Sequence, residues 1–137
     1  MPKSALKYTV LAAIVLGAAI YGYVANISVG IGQGPEGEAR SFILAMENPL
    51  REYQKDIGHY PTTQQGLRAL LVQPAGASNW HGPYILGGDI PKDRWGMYYQ
   101  YASPGLHHPD GYDLWSLGAS KGADPKTVIG NWTGRQN

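Results

Sequence analysis

The chain has 137 residues and a nearly balanced charge, with 11 Lys and Arg against 10 Asp and Glu and a formal net charge of +1 at pH 7. Because nucleic-acid-binding proteins need a basic surface, this balance argues against a nucleic-acid partner. The sequence contains no cysteine, which excludes disulfide bonds and thiolate metal sites. Its 19 glycines, 10 prolines, 10 tyrosines and 4 tryptophans predict a small, turn-rich domain with aromatic side chains in its core.

The first element in chain order is an apolar span. Residues 8–31 carry no charged side chain and exceed the roughly 20 apolar residues that cross a bilayer. This length favours a retained transmembrane helix, and a cleaved signal peptide is the alternative. Lys3 and Lys7 precede the span and the next basic residue is Arg40, so the positive-inside rule predicts a cytoplasmic N-terminus. In a Gram-negative bacterium, residues 1–31 would form a single-pass anchor in the inner membrane, with the rest of the chain in the periplasm.

A glycine-rich segment follows the anchor. Residues 32–37 contain three glycines and one proline, which disfavour a continuous helix and predict a flexible tether. A partly melted helix is the alternative. The folded domain is expected over residues 38–137. Its first helix is expected to start near Glu36 or Glu38, because acidic side chains favour a helix N-terminus.

An amphipathic helix is the longest predicted element of the domain. Its apolar residues recur at steps of three and four, as they do on one buried helix face. They are Phe42, Met46, Leu50, Tyr53 and Ile57. Pro49 lies inside this pattern and cannot donate a main-chain hydrogen bond, so it predicts a kink over residues 45–48.

A rigid corner is predicted where this helix ends. Gly58 occupies the position where a helix C-terminus takes positive φ, and Pro61 pushes the residues before it into extended geometry. Thr62 and Gln65 have the spacing of a capping box and predict the start of a second, short helix. Asp56 is expected to cap or orient the corner. The apolar residues expected on the buried side of the second helix are Leu67, Leu70 and Leu71.

The remainder of the chain predicts turns and short strands. Residues 79–84 and 90–96 contain Gly, Pro, Asp or Asn in combinations that are typical of turns. The aromatic-rich residues 97–101 predict a strand, and residues 111–117 predict its partner. The predicted fold class is therefore α+β, with an N-terminal transmembrane helix followed by an amphipathic helix packed on a small antiparallel β-sheet.

Short motifs occur in a fixed order over residues 44–132. They are Tyr53-x-x-Asp56-x-Gly58-x-Tyr60-Pro61-Thr62-Thr63-x-Gln65-Gly66-Leu67, Trp80-x-Gly82-Pro83-Tyr84, Pro91-Lys92-Asp93-x-Trp95-Gly96, Tyr101-x-x-Pro104-Gly105-x-His107, Tyr112-Asp113-Leu114-x-Ser116-x-Gly118-Ala119 and Asn131-Trp132. Each motif alone is weak, but in this order they resemble the major pseudopilins of type II secretion systems, the core protein G family. The resemblance implies a type IV pilin-like fold.

The same resemblance implies a structural subunit rather than an enzyme, with no catalytic residue and no cofactor. Such subunits assemble with other pseudopilins, as homo- or hetero-oligomers, into a periplasmic pseudopilus. An inner-membrane secretion platform and an ATPase drive this fibre, which helps to export proteins across the outer membrane. The alternative is a non-polymerising, membrane-tethered binding module on the same fold that holds a partner through exposed tyrosines and tryptophans.

The chain departs from the resembled family at the membrane edge. Members carry a basic leader that a prepilin peptidase cuts after a glycine, followed by a glutamate that pairs with a neighbour's new N-terminal amine. Here Lys7 occupies the position of the glycine and Ala12 that of the glutamate. We therefore expect the peptidase not to process this chain, unless its start codon is misassigned.

The resemblance also implies a calcium site in the loop after Ser116-x-Gly118-Ala119, where members carry two aspartates. In this chain Ser120 occupies the position of the first and Val128 that of the second, which leaves Asp124 as the one carboxylate of the loop. Calcium prefers several hard oxygen ligands. A weak calcium site at Asp124 and a metal-free loop are both open, and the metal-free loop is favoured.

No residue pattern predicts catalysis. His107 and His108 lie near Asp110 and Asp113, but adjacent residues of an extended chain point to opposite sides, so a solvated turn is favoured over a metal site. Ser116 lies outside a Gly-x-Ser-x-Gly motif. The remaining charged candidates, interpreted as turn residues, are Asp93 and Arg94.

Overall fold

The computed structural model of the protein describes residues 34–134. Within that range lie two helices, two short 3-10 helices and three strands. The helices are α1 (Pro35–Ala45) and α2 (Glu47–Ile57), the 3-10 helices are Leu67–Leu70 and Pro125–Thr127, and the strands are β1 (Gln100–Ala102), β2 (Asp113–Ser116) and β3 (Ile129–Gly130).

The start of α1 corrects one predicted boundary. The helix begins at Pro35, so residues 35–37, which were assigned to the tether, are helical. Proline favours the first helical position because its missing N–H would have no partner there, and Glu36 and Glu38 lie in the first turn as predicted. Lys7, Ala12 and the rest of the predicted anchor and tether lie outside the described residues. Within residues 34–134, no helix combines the length and the apolar composition that crossing a membrane requires.

The predicted kink is confirmed and divides the amphipathic helix in two. Met46 lies between α1 and α2 with φ −77° and ψ −13°. Its amide donates to the Phe42 carbonyl and its carbonyl accepts from the Leu50 amide, each at 3.1 Å. Because Pro49 has no N–H, it cannot donate the helical hydrogen bond to the Ala45 carbonyl, and the helix is interrupted at this point.

The predicted apolar face forms the core. Leu50 and Tyr53 are fully buried, and Met46 is 8% exposed. In α1 the buried side is rotated from the predicted one, since Ala39 and Ile43 are buried. Phe42 lies at the edge of the core, where its ring stacks on Tyr99 with centroids 4.0 Å apart.

The corner between α2 and the first 3-10 helix follows its sequence signals closely. Gly58 has φ 90°. In the capping box, the Thr62 amide donates to Gln65 Oε1 at 2.9 Å and the Gln65 amide donates to Thr62 Oγ1 at 3.2 Å. The element that follows is a turn and then a 3-10 helix, because Gly66 adopts φ 58° and ψ −165° between them. Leu67 and Leu70 are buried as predicted, whereas Ala69 is buried in place of the half-exposed Leu71.

The sheet is antiparallel with the order β1-β2-β3. Tyr101 of β1 pairs with Leu114 of β2, and Trp115 of β2 pairs with Gly130 of β3. The first two strands were predicted, although both are shorter than expected. The third was not, because two residues are too few to show an alternating pattern. α1 packs against β2 and β3, so the α+β prediction of a helix on a small antiparallel sheet is confirmed.

Candidate functional site

The loop of residues 118–128 connects β2 to β3 and contains the predicted calcium loop, residues 120–129, except for Ile129, which begins β3. It begins at Gly118, which has φ 69° and lies so close to the Thr127 main chain that an added Cβ would overlap the Thr127 carbonyl. Lys121 also has positive φ, at 53°. Left-handed backbone at a non-glycine residue is uncommon, so the loop needs contacts that hold this conformation.

Two hydroxyl groups provide those contacts. Ser120 Oγ accepts from the Asp124 amide at 2.9 Å and lies 2.6 Å from Thr127 Oγ1. Thr127 Oγ1 donates to the Asp124 carbonyl at 2.9 Å. Ser120 Oγ also lies 3.3 Å from the Asp124 carbonyl oxygen. Because a hydroxyl has a single proton, the two shorter bonds form together when Ser120 donates to Thr127 and Thr127 donates to Asp124. The two side chains thereby join the two ends of the loop.

The Asp124 carboxylate has a separate task. Its Oδ1 accepts from the Lys126 amide at 2.9 Å and caps the 3-10 helix Pro125–Thr127. The side chain is exposed, and the loop also carries the cations Lys121 and Lys126.

These residues do not fit calcium. The ion takes 6–8 oxygen ligands, usually with several carboxylates, and this loop offers a single carboxylate that is already bonded to an amide. Over residues 34–134, no three His, Cys, Asp or Glu side chains are grouped so that they could hold a metal ion.

A second cluster joins two histidines to one buried carboxylate. Asp113 is 2% exposed. Its Oδ2 accepts from the amide of His107 at 2.8 Å and lies 3.0 Å from Nδ1 of the same residue, and its Oδ1 lies 2.9 Å from Nδ1 of His108. Burial raises the pKa of the Asp113 carboxyl, but these hydrogen bonds outweigh burial, so the pKa lies below its ordinary value.

Both histidine side chains are partly exposed in a turn, as predicted, but the prediction that the two imidazoles point to opposite sides was wrong. The chain is not extended here, because the amides of Gly105 and Gly111 both donate to the His108 carbonyl, at 3.1 and 3.0 Å. An added Cβ at Gly105 would meet the Asp113 carboxylate at 2.6 Å. His107 also stacks on Trp132, with ring centroids 3.9 Å apart. The cluster therefore holds the segment before β2 against the end of the domain.

A third carboxylate anchors the predicted turn at residues 90–96. Asp93 is 6% exposed and accepts from the Ser116 hydroxyl at 2.7 Å and from the amides of Trp95 and Met97 at 3.1 and 2.9 Å. Ser116 Oγ in turn accepts from the Gly118 amide at 3.0 Å. Asp93 is a turn residue as predicted, and Ser116 is a buried link rather than a nucleophile. Arg94 forms an ion pair with Glu38 of α1.

Asp56 orients the corner, as predicted. Its Oδ2 accepts from the Tyr84 hydroxyl at 2.7 Å, and that hydroxyl oxygen accepts from the His81 amide at 3.1 Å. Burial and the bond to Asp56 raise the pKa of Tyr84. The Asp56–Tyr84 and Asp93–Ser116 pairs were missed in the sequence, because no local spacing connects them. The histidine partners of Asp113 are close in sequence, but the turn that brings both Nδ1 atoms to one carboxylate was not predicted.

Comparisons with known proteins agree with this architecture. A family model described as type II secretion system (T2SS), protein G, matches residues 26–132. The type II secretion system core protein G of Pseudomonas aeruginosa is 42% identical over 100 residues, covering 69% of this chain and 68% of the relative. The protein of the same name from Aeromonas hydrophila is 37% identical over 123 residues, covering 87% and 83%.

A solved structure gives the same result. The crystal structure of the major pseudopilin from the type 2 secretion system of enterohaemorrhagic Escherichia coli is similar with a TM-score of 0.62 and 34% identity, and the match covers 75% of this chain and 88% of that one. The family model spans most of the chain, and the alignments with the two relatives cover most of their length. The chain therefore belongs to the type II secretion system protein G family.

Proposed function

We propose that this protein is a structural subunit of a type II secretion system, or of a related system, that assembles with other pseudopilins into a periplasmic pseudopilus. The observation that carries the proposal is the joint match of sequence and fold to a major pseudopilin, at 34% identity and a TM-score of 0.62. The buried polar groups support it. Asp93, Asp113 and Ser116 are each bonded within the domain and hold turns in place, so they serve the scaffold rather than a reaction.

The proposed arrangement places residues 1–31 in the inner membrane as a single-pass anchor and the domain in the periplasm. The charge pattern supports it, since Lys3 and Lys7 precede the apolar span. The partners are then other pseudopilin copies, of this chain or of related chains, and the inner-membrane secretion platform.

The absence of cysteine permits a direct test of topology. Leu86 is 99% exposed on a loop, so Leu86→Cys introduces one accessible thiol into a chain that has none. We expect a membrane-impermeant maleimide to label this variant in spheroplasts, with no further labelling after lysis. As the matched control, Ser4→Cys on the predicted cytoplasmic side should react only after lysis. The reverse pattern would contradict the proposed orientation.

Assembly is tested with a thiol on α1. Leu44 is 57% exposed on that helix, and the resembled family stacks its subunits through N-terminal helices. We expect a bifunctional maleimide, which joins two single-cysteine chains, to cross-link Leu44→Cys into covalent dimers in membranes that contain the whole secretion system. The dimers should be absent when the platform proteins are missing. A monomer under both conditions would instead favour the tethered binding module.

The binding-module alternative requires freely exposed aromatic side chains. All four tryptophans are half-buried: Trp80, Trp95, Trp115 and Trp132. Trp80 donates its indole N–H to the Ala69 carbonyl at 2.9 Å, and Trp132 stacks on His107. Tyr98 is 50% exposed, with the Lys92 ammonium 4.9 Å from its ring centroid. These contacts serve packing within the domain, and the subunit proposal accounts for them better.

A further inference from the structure

We infer that the 118–128 loop is closed by the hydroxyl pair of Ser120 and Thr127 and that this closure is independent of calcium. The inference goes beyond the proposed function, because it concerns how this chain holds a loop for which the resembled family uses a metal ion. The residues that carry it are Ser120, Asp124 and Thr127, together with the exposed lysines Lys121 and Lys126 of the same loop.

The first step is geometric. Ser120 and Thr127 lie at the two ends of the loop, and their hydroxyl oxygens are 2.6 Å apart. Between them, the Asp124 main chain is bonded on both sides, with its amide on Ser120 Oγ and its carbonyl on Thr127 Oγ1, each at 2.9 Å. A calcium ion joins two ends of a loop through carboxylate and carbonyl oxygens. Here the hydroxyl groups join the ends directly.

The second step is electrostatic. The loop contains one carboxylate, Asp124, and two exposed lysines, Lys121 and Lys126. To bind an ion, the Asp124 carboxylate would have to release the Lys126 amide that it caps. Calcium usually takes several carboxylate ligands, so a loop with one carboxylate and two lysines disfavours a divalent cation.

The third step concerns the backbone that the hydroxyl pair must hold. Lys121 has φ 53°, and Gly118 packs against the Thr127 carbonyl. The Lys121 amide donates to the Gly118 carbonyl at 3.0 Å and the Gly122 amide to the Leu117 carbonyl at 3.1 Å. This tight turn and the 3-10 helix at Pro125–Thr127 meet at the hydroxyl pair, so losing either hydroxyl should open the loop.

Limited proteolysis of the full chain in mild detergent tests the inference, because Lys121 and Lys126 are exposed trypsin sites inside the loop. Thr127→Val keeps the shape of the side chain and removes the hydroxyl, and Thr127→Ser keeps the hydroxyl. We expect Thr127→Val to raise the cleavage rate at Lys121 roughly 5-fold, the change in open population that the loss of one net hydrogen bond produces. Lys121 is the site compared, because residue 127 forms part of the bond that is cut after Lys126. Thr127→Ser should be cleaved at the wild-type rate.

Ser120→Ala should behave like Thr127→Val, and the matched control is Ser78→Ala at an exposed serine outside the loop. Wild-type cleavage should be the same in millimolar calcium and in excess chelator, and so should the melting temperature. Equal cleavage of Thr127→Val and Thr127→Ser would overturn the role of the hydroxyl pair. Calcium that slows wild-type cleavage or raises its melting temperature would overturn the independence from calcium. Neither outcome depends on whether the chain assembles into a pseudopilus.

Discussion

The helical half of the domain, residues 35–71, and the loop-rich half, residues 91–131, are stabilised in different ways. In the helical half, apolar residues at helical spacing form the core, and local caps such as the Thr62–Gln65 pair close the corner. In the loop-rich half, buried carboxylates close the turns, and Asp93 reaches Ser116 across 23 positions. The first half therefore depends on apolar burial and local caps, and the second on polar groups brought together by the fold.

The largest expected effect is the loss of a core side chain from the helical half. Leu50 is fully buried on α2, so Leu50→Ala should lower the free energy of unfolding by about 3 kcal/mol, through lost burial and the cavity that remains. Urea titration of the full chain, followed by tryptophan fluorescence, measures this change. Leu44→Ala on α1, where the side chain is 57% exposed, is the control and should change little. Equal effects of the two variants would show that the assigned helix face is wrong.

In the loop-rich half, the corresponding substitution removes a buried polar side chain. Asp93→Ala would leave the Ser116 hydroxyl and the amides of Trp95 and Met97 without their acceptor. Buried donors without partners are destabilising, and we expect a loss of about 2 kcal/mol by the same urea titration. Asp110→Ala, at an exposed carboxylate in the same half of the domain, is the control. If both variants are as stable as the wild type, buried carboxylates do not hold this half together.

The pH dependence of the free energy of unfolding should show a further difference between the two halves. Asp113 has a pKa below its ordinary value of 3.8, so the unfolded carboxyl binds protons at a higher pH than the folded one. The stability that it contributes is therefore complete above 3.8 and is lost as pH falls through the lower folded value. Asp113→Asn should be less stable than the wild type at neutral pH, and the difference should shrink in strong acid.

Urea titrations of the wild type and Asp113→Asn over a series of pH values provide the measurement. The carboxyls that the two chains share cancel in the comparison. Asp110→Asn, at an exposed carboxylate in the same half of the domain, is the control for the substitution itself. A constant difference between the wild type and Asp113→Asn across the acid range would contradict the charged role of Asp113 beside His107 and His108.

The contrast between the halves also explains which parts of the structure could be predicted. Gly58, Thr62 and Pro49 act through neighbours at most four positions away, so their spacing alone indicated the cap, the box and the helix break. The strand β3 and the pairing of Asp93 with Ser116 depend on segments that meet only in the folded chain. Local sequence patterns do not identify contacts between distant segments, and a turn-rich sequence offers several equally good partners for each carboxylate.

The candidate site, too, could be predicted only in part from the sequence. The substitutions at Ser120 and Val128 indicated from the sequence that the loop is a poor calcium site. The hydroxyl pair that closes the loop was not predicted, because Thr127 carried no signal of its own. In the structure, the 3-10 helix at Pro125–Thr127 places the Thr127 hydroxyl oxygen 2.6 Å from that of Ser120.

The smallest expected effect is the loss of one local cap from the helical half. Thr62→Ala removes the oxygen that accepts from the Gln65 amide at 3.2 Å, but it leaves the reciprocal bond, in which the Thr62 amide donates to Gln65 Oε1 at 2.9 Å. Both residues are partly or fully open to solvent, so water can replace the lost acceptor. We expect a loss of about 0.5 to 1 kcal/mol, within the range for N-caps.

The matched variant Thr62→Ser keeps the accepting oxygen and should retain wild-type stability in the same urea titration. Gln65→Ala removes the reciprocal bond, and the double variant Thr62→Ala with Gln65→Ala measures whether the two bonds support each other. A loss above about 2 kcal/mol for Thr62→Ala would exceed what a solvent-exposed cap contributes. In that case the Thr62 side chain would have a packing role. The corner would then depend, as the loop-rich half does, on contacts that form only in the folded chain.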